Sequence, residues 1–306
     1  MSLSPKLAPS AKGVPAGIVW MLVTTFFFVC VHTTGKYLVA LYPVGQVVWG
    51  RYVFHLLFAA VILGPALKRA ARTEHLKLQL IRSALMLGAS AFYFAGVQLI
   101  PLAEANSIAS TTPIFVVMLA PLLLGEQVGP RRWLGVAVGF VGALIIIRPG
   151  SGLMDFAVIF LVASALCNAG YQLTTRQLGG RDEPLTTLFY TAAVGSLASS
   201  AAVPFIWEPV DASGWMLFAL IGAFACIGHF TLIKAYQATA ASTVAPYGYA
   251  NLLWAVAFGF VVFGDLPDVT TVLGAGLIVA SGLYILHRER QRMRKPMTAV
   301  GPSARL

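Results

Sequence analysis

Long apolar stretches make up most of the chain, and short groups of charged, proline and glycine residues interrupt them. A helix needs about 20 apolar residues to cross the hydrocarbon layer of a bilayer. Cutting the sequence at its charge clusters, prolines and glycines gives ten stretches of about that length. We therefore predict ten membrane-spanning helices with very short loops, at residues 14–41, 43–66, 77–99, 102–124, 131–148, 154–176, 184–206, 213–236, 241–264 and 268–287.

The composition supports a membrane protein. Of the 306 residues, 58% are hydrophobic and 10% are charged, whereas soluble domains have about 25% charged residues. So few charges cannot cover a water-soluble protein of this size, which excludes a soluble enzyme, a disordered regulator and an ordinary secreted domain. Cys30, Cys167 and Cys226 lie in apolar runs without metal-ligand spacing, so we expect small core residues and no metal site.

The net charge of +10 has a topological explanation. If the N-terminus is cytoplasmic, most of the 21 Lys and Arg residues fall on the cytoplasmic side, and acidic residues occupy the opposite connections. This is the distribution that the positive-inside rule describes. We predict a multi-pass protein of the cell inner membrane with both termini in the cytoplasm. The basic tail at residues 291–306 is expected to contact anionic lipid rather than nucleic acid.

The two halves of the chain are related in sequence. When the sequence is shifted by 139 residues against itself, Gln98 meets Gln237, and further matches keep this offset from the first span to the tenth. Each half holds five spans, an odd number, so the second half must be inverted relative to the first. We predict a five-helix repeat at residues 1–150 and an inverted five-helix repeat at 151–290, as in many secondary transporters.

The ends of spans four and nine carry the most specific signature. The stretch from Pro113 to Pro149, PIFVVMLAPLLLGEQVGPRRWLGVAVGFVGALIIIRP, has a Leu-Gly-Glu corner, a basic loop and a Gly-rich helix. Its C-terminal copy, VVFGDLPDVTTVLGAGLIVASGLYIL, has Asp265 where the first copy has Glu126. With ten spans in two halves, these stretches resemble the EamA-type branch of the drug/metabolite transporter superfamily over essentially the whole chain. The resemblance implies an all-α membrane fold, with a closest similarity to bacterial exporters of aromatic and other amino acids.

Deep carboxylates are missing from the predicted spans. None of the eleven acidic residues lies near the middle of a span, which argues against a carboxylate-driven proton/cation antiporter. We therefore expect downhill facilitated export rather than tight proton coupling. The alternative of a proton relay through His32, His55 or His229 stays open, because histidine titrates near neutral pH.

Uncharged polar side chains at membrane depth are costly, and they cluster in spans one, three, four, six, eight and nine. Several share a helical face by their spacing, at i, i+3 and i+4 on spans four and six and at i, i+4 and i+7 on span nine. Such stripes suit a neutral or zwitterionic ligand with an apolar side chain; hydrogen bonding between helices is the alternative. The predicted substrate-binding residues of a central cavity are His32, Tyr93, Ser107, Ser110, Thr111, Asn168, Tyr171, Gln172, His229, Tyr247, Asn251 and Trp254.

Prolines and isolated charges mark further candidate positions. Pro113 and Pro246 interrupt the corresponding spans four and nine, and we predict hinges there, with simply tolerated prolines as the alternative. Arg51 lies within span two, where it can attract a substrate carboxylate, snorkel or pair with backbone carbonyls. Lys36 is expected to snorkel outward.

Small residues on spans five and ten are typical of close helix packing. Gly135 and Gly139 form a small-xxx-small pair, with a homodimer face as the alternative role. Because spans five and ten are almost purely apolar, we expect them at the periphery. We predict a monomer or a weak homodimer.

Together these features predict a secondary transporter or facilitator. It is expected to export small organic metabolites, aromatic or apolar amino acids first, by alternating access and without a cofactor. A proton-coupled multidrug or other metabolite exporter of the same fold is the main alternative. A lipid-modifying membrane enzyme would need a catalytic cluster near one interface, and a channel would need a selectivity filter; the sequence indicates neither.

Overall fold

The computed structural model describes residues 13–125, 129–147, 153–178, 181–238 and 245–294, and throughout these ranges the regular structure is helical. In the first half, span one is Gly13–Val39, span two is Val44–Leu63, span three is Leu76–Val97, span four is Leu102–Ala109 followed by Thr112–Leu124, and span five is Pro130–Ile147. In the second half, span six is Leu153–Leu178, span seven is Pro184–Ala202, span eight is Ala212–Ala238, and span ten is Val269–Arg294. Span nine is Ala250–Phe258, which lies between the turns Ala245–Tyr249 and Gly259–Phe263. A short helix, Leu67–Ala70, lies between spans two and three.

Length and apolar character agree with a ten-helix membrane protein. Spans one to four and six to eight are long and apolar enough to cross a bilayer. Spans five, nine and ten contain shorter apolar helical stretches of 10–17 residues. The predicted all-α fold is therefore confirmed, and the protein is a multi-pass membrane protein.

The helix pairing follows the internal repeat. Span one packs along span eight, and span six packs along span three, which is the same pair after the two halves are exchanged. Span two packs on span seven and span five on span ten, pairs that the exchange leaves unchanged. This pattern is what a pseudo-two-fold relation between inverted halves produces.

Spans five and ten contact each other through glycine. A Cβ atom on Gly142 would lie 2.8 Å from the carbonyl oxygen of Gly274 and 2.9 Å from Cβ of Leu277, so only hydrogen fits there. Two turns away, Ser281 Oγ donates a 2.5 Å hydrogen bond to the carbonyl of Gly135. The small residues of span five therefore serve close helix packing inside one chain.

Spans four and nine, which contain the predicted hinge prolines, both depart from a continuous α-helix. Span four stops at Ala109 and restarts at Thr112, with Pro113 in the first turn of the second segment, where a missing N–H costs nothing. In span nine, Pro246 lies in the 3₁₀ turn Ala245–Tyr249. The breaks occur in corresponding spans of the two halves, and their role as hinges stays a prediction.

Polar contacts tie the helix ends together. On the predicted cytoplasmic side, Arg69 pairs with Glu183, and Gln79 Nε2 donates to Asp182 Oδ2 at 2.7 Å. On the opposite side, the Gln46 side chain exchanges two 2.9 Å hydrogen bonds with the backbone of Glu208. These contacts hold span two, the short helix Leu67–Ala70 and the start of span three against the segments that flank span seven.

Candidate functional site

Asn106 is the centre of a hydrogen-bond network between spans one, three, four and nine. Its side chain is fully buried. Its Oδ1 accepts from Nδ1 of His32 at 2.8 Å and from Nδ2 of Asn251 at 3.2 Å, while its Nδ2 donates to the hydroxyl of Tyr93 at 2.9 Å. The last turn before the break in span four places Asn106 there, and Nδ2 also donates to the carbonyl of Leu102. One amide therefore connects four helices from both halves.

An aromatic surface lies beside this network. The rings of His32 and Tyr93 stack with centroids 4.1 Å apart and an angle of 26° between their planes. Tyr93 is buried and His32 is half-buried, so the imidazole presents the more open side of the stack. A planar group on a substrate can continue such a stack.

A cavity of about 80 Å³, with room for several water molecules, opens next to the stack. Spans one, two, three, four and six form its walls. Its polar lining, among the described residues, consists of His32, Arg51, Ser90, Tyr93, Thr112, Ser164 and Asn168. No carboxylate belongs to this lining, so the fixed charge of the cavity wall is positive.

That positive charge is the guanidinium of Arg51. It is 4% exposed, and Nη1 donates a 2.6 Å hydrogen bond to Ser90 Oγ. Its Cζ lies 4.7 Å from the ring centroid of Tyr52, and Nε has no partner among the described residues. Arg51 therefore does not snorkel to an interface. Because guanidinium stays protonated, the cavity keeps a buried cation whose charge no described carboxylate neutralises.

Lys36 makes a separate set of contacts on the side away from the predicted cytoplasm. It does not snorkel outward: its Nζ donates to the carbonyl of Ile100 at 3.0 Å and pairs with Asp265 Oδ2 at 3.3 Å. The same ammonium lies 4.8 Å from the ring centroid of Phe263. These contacts join span one, the connection after span three and the end of span nine.

Four predicted residues meet at the centre of the molecule. His32, Tyr93 and Asn168 line the cavity, and Asn251 reaches it through Asn106. Trp254, one turn after Asn251, packs edge-on against Phe26 at 5.5 Å. The oxygen of Asn251 and the indole nitrogen of Trp254 are buried and have no hydrogen-bond partner among the described residues.

The other predicted residues lie elsewhere. Ser107, Ser110 and Thr111 each donate their hydroxyl to a carbonyl in their own span, at Ala103, Asn106 and Ile108. Such local bonds compete with ligand contacts. Tyr171 lies under the guanidinium of Arg82, whose Cζ is 5.0 Å from the ring centroid. Gln172 and Tyr247 are exposed, and His229 stacks on His55.

Three residues that shape the cavity or its surroundings, Asn106, Ser90 and His55, are absent from the predicted substrate-binding set. Asn106 and Ser90 lie in polar stretches of spans four and three. Their positions in the sequence do not distinguish them from neighbouring serines and threonines whose hydroxyls bond only their own helix. His55 is surrounded in sequence by apolar residues. No sequence spacing relates it to His229, because their contact depends on how spans two and eight pack.

The fold and the site define a class: an inverted-repeat membrane transporter with a central polar cavity. The sequence pattern of the EamA-like transporter family matches residues 15–148 and again residues 155–286. The chain therefore belongs to this family, and it is a transporter of small metabolites.

Several relatives are named transporters. The chain is 32% identical over 300 residues to a riboflavin transporter of Rhizobium johnstonii, covering 95% of this chain and 97% of the relative. It is 25% identical to an S-adenosylmethionine uptake transporter of Rickettsia prowazekii, covering 78% and 83%. It is 29% identical to a pseudopaline exporter of Pseudomonas aeruginosa, covering 87% and 94%. A solved structure described as "Crystal structure of protein", at 16% identity, has a TM-score of 0.60 over 92% of this chain and 99% of that one, and shares the fold.

Proposed function

We propose that this protein transports a small aromatic metabolite without net positive charge, with riboflavin as the first candidate, by alternating access. The observation that carries the proposal is the His32–Tyr93 stack at the wall of a cavity that also holds Arg51. Riboflavin has a flat three-ring system, an imide edge that both donates and accepts hydrogen bonds, and a hydroxylated chain. A ring stack beside amide side chains matches that chemistry.

The amides provide partners for the imide edge and the hydroxyls. Asn168 lines the cavity, and Asn251 Oδ1, beside the network, has no partner in the described part of the chain. A buried acceptor without a partner is costly, and a ligand N–H or O–H that reaches it removes the cost. The similarity to riboflavin transporters supports the same substrate.

The positive charge of the cavity wall disfavours cationic substrates. Arg51 repels a positive ligand, and the described lining offers no carboxylate to offset that repulsion. S-adenosylmethionine carries a sulfonium charge, so we infer that this chain does not transport it although a relative is named for it.

Aromatic amino acids are the second candidate, and Arg51 is the observation that favours them. A substrate carboxylate at the guanidinium would leave the aromatic side chain near His32 and Tyr93. This extends the export of amino acids predicted from the sequence. The basic residues that mark one side of the bundle support an inner-membrane protein with both termini in the cytoplasm; we propose that it works as a monomer or a weak homodimer.

Counterflow in proteoliposomes tests the substrate. Vesicles loaded with unlabelled riboflavin should take up labelled riboflavin with saturable kinetics, whatever the direction of transport in the cell. Excess tryptophan should compete if the second candidate is correct, and S-adenosylmethionine should not compete. Asn168→Ala should weaken the apparent affinity, whereas Ser107→Ala, whose hydroxyl bonds only its own helix, should not. Absence of saturable counterflow for riboflavin and for aromatic amino acids would refute the proposal, and linear flux would indicate a channel.

A further inference from the structure

Two histidines that the cavity does not use face each other between spans two and eight. The rings of His55 and His229 are parallel, with 2° between their planes and 5.3 Å between their centroids. His55 is fully buried and His229 is 7% exposed. Their contact joins the two inverted halves of the chain across 174 residues of sequence.

The pair has few of the hydrogen bonds that buried imidazoles normally make. Both ring nitrogens of His55, and Nε2 of His229, have no partner among the described residues. Each buried polar atom without a partner costs about 1–3 kcal/mol. Structural packing does not require that cost, because an apolar ring would fill the same space. Unsatisfied buried groups of this kind point to a ligand or a proton that binds in another state.

The surroundings determine which protonation state this conformation accepts. Arg51 lies one helical turn from His55 on span two, and both Arg51 and Arg82 on span three are buried and positively charged. From span one, the ring of Phe28 covers His229 edge-on at 5.1 Å. Neither span two nor span eight, which carry the two rings, contains an acidic residue. An imidazolium here would be a buried charge beside other cations, so the closed arrangement favours two neutral rings.

The position of the pair relates it to the transport path. Arg51 lines the cavity, and His55 lies one turn further along span two, towards its predicted cytoplasmic end. A conformation that opens the cavity in that direction brings water to His55 and His229. In water, imidazole binds a proton near pH 6.5. Proton affinity then differs between the closed and open conformations, and this difference links proton binding to the conformational equilibrium.

We propose that the stacked imidazoles of His55 and His229 form a proton-binding site that couples substrate movement to the proton gradient; this rests on the transport function proposed above. One proton binds from the water on the side to which the site is open, and it leaves to the water on the other side once the opposite conformation has opened. A single proton per cycle is expected, because two adjacent imidazolium rings repel each other. The pair supplies a titratable group where the spans lack deep carboxylates.

Transport against a gradient tests the coupling. In proteoliposomes, a difference of one pH unit in the favourable direction should hold up to about a tenfold riboflavin gradient, since one proton carries about 1.4 kcal/mol per pH unit. A protonophore should abolish this accumulation. His55→Gln should remove it while counterflow at equal pH continues, and His229→Gln should also remove it. His75→Gln, outside the spans, is the matched control and should behave as the wild type.

The outcomes separate the two proposals. Saturable counterflow without pH-driven accumulation, or accumulation that survives His55→Gln, would overturn proton coupling and leave the transport function intact. Loss of counterflow for every aromatic substrate would instead refute the transport proposal. If the variants do not fold, ¹⁵N NMR spectra of the two imidazoles in the wild-type protein test the proton-binding site instead. Protonation of both rings in the same pH range between pH 8 and pH 5 would support the site. Two rings that stay neutral throughout this range would contradict it.

Discussion

Lys36 on span one and Asp265 at the end of span nine form an ion pair across the two halves of the chain, with Nζ and Oδ2 3.3 Å apart. The Lys36 side chain is 14% exposed and that of Asp265 is 36% exposed, so water screens the pair in part. Nζ also donates to the carbonyl of Ile100. A contact that joins both halves on the side away from the predicted cytoplasm is suited to hold that side closed, and it must break before the side opens.

Asp265→Asn should therefore shift the protein towards the conformation open on that side. A partly exposed pair contributes about 1 kcal/mol or less, so we expect up to about a fivefold change in the equilibrium. In a variant without Cys30, Cys167 and Cys226, a cysteine at Ser90 reports access to the cavity. Its labelling by an impermeant thiol reagent from that side should become faster in Asp265→Asn. Exchange of the two charges, Lys36→Asp with Asp265→Lys, should restore slow labelling; equal rates in all variants would contradict a closing role.

Removal of the Asn106 side chain should destabilise the protein. Asn106→Ala leaves His32, Asn251 and Tyr93 without their partner in the network. We expect the free energy of unfolding to fall by about 1–3 kcal/mol, measured by denaturant titration in detergent. Ser107→Ala is the matched control on the same helix, because it removes only a bond to the carbonyl of Ala103. Similar losses in both variants would show that the network contributes nothing specific.

A methyl group at Gly142 should disrupt the contact of spans five and ten. In Gly142→Ala, the new Cβ would meet the backbone oxygen of Gly274 at 2.8 Å and the backbone nitrogen of Ile278 at 3.1 Å. Overpacking of this kind costs about 1–3 kcal/mol and should lower the thermal unfolding midpoint. Gly276→Ala, where no described atom beyond its own turn of helix lies within 4 Å of the new methyl group, should leave the midpoint unchanged or raise it. The opposite order would show that these helices do not pack as described.

The hydrogen bonds of Asp211, in the loop before span eight, predict that the stability of the fold depends on pH. Hydrogen bonds from Ser213 Oγ, the Gly214 N–H and the Tyr42 hydroxyl lower the pKa of this carboxyl to about 2. A folded-state pKa below the unfolded value stabilises the fold above about pH 4. This contribution falls as the pH drops towards 2 and is lost below that pH, where the carboxyl is protonated in both states.

The variant Asp211→Asn should therefore lose less stability than the wild type between pH 5 and pH 2, as measured by thermal unfolding. Because the group is exposed, the difference should be small. The hydrogen bond from Tyr42 to Asp211 also raises the pKa of the Tyr42 hydroxyl. The stability that Tyr42 contributes through this bond is therefore present below pH 10 and is lost as the pH rises further. Identical acid profiles of the wild type and the variant would show that these hydrogen bonds do not form in solution.

The predicted binding residues show that the spacing of polar residues along a helix does not by itself identify which of them line the cavity. The interval between Ser107 and Thr111 assumes a continuous helix, but span four breaks between Ala109 and Thr112. Hydroxyls also have a local alternative, since a serine or threonine on a helix can bond the carbonyl one turn earlier. Asn168 and Tyr93 do line the cavity, yet nothing in the pattern distinguishes them from Gln172, which is exposed.

The sequence by itself determined the ten spans and the two related halves, and it indicated the family. These features depend on the length of apolar runs, on the placement of charges and on a constant offset, and all three are properties of the linear chain. Tertiary structure alone decided which polar groups meet. Asn106 reaches His32 across 74 residues and Asn251 across 145, and His55 meets His229 only because spans two and eight pack together. In hydrocarbon a buried polar group can find a partner only inside the protein, and helix packing, not sequence spacing, determines which partner is within reach.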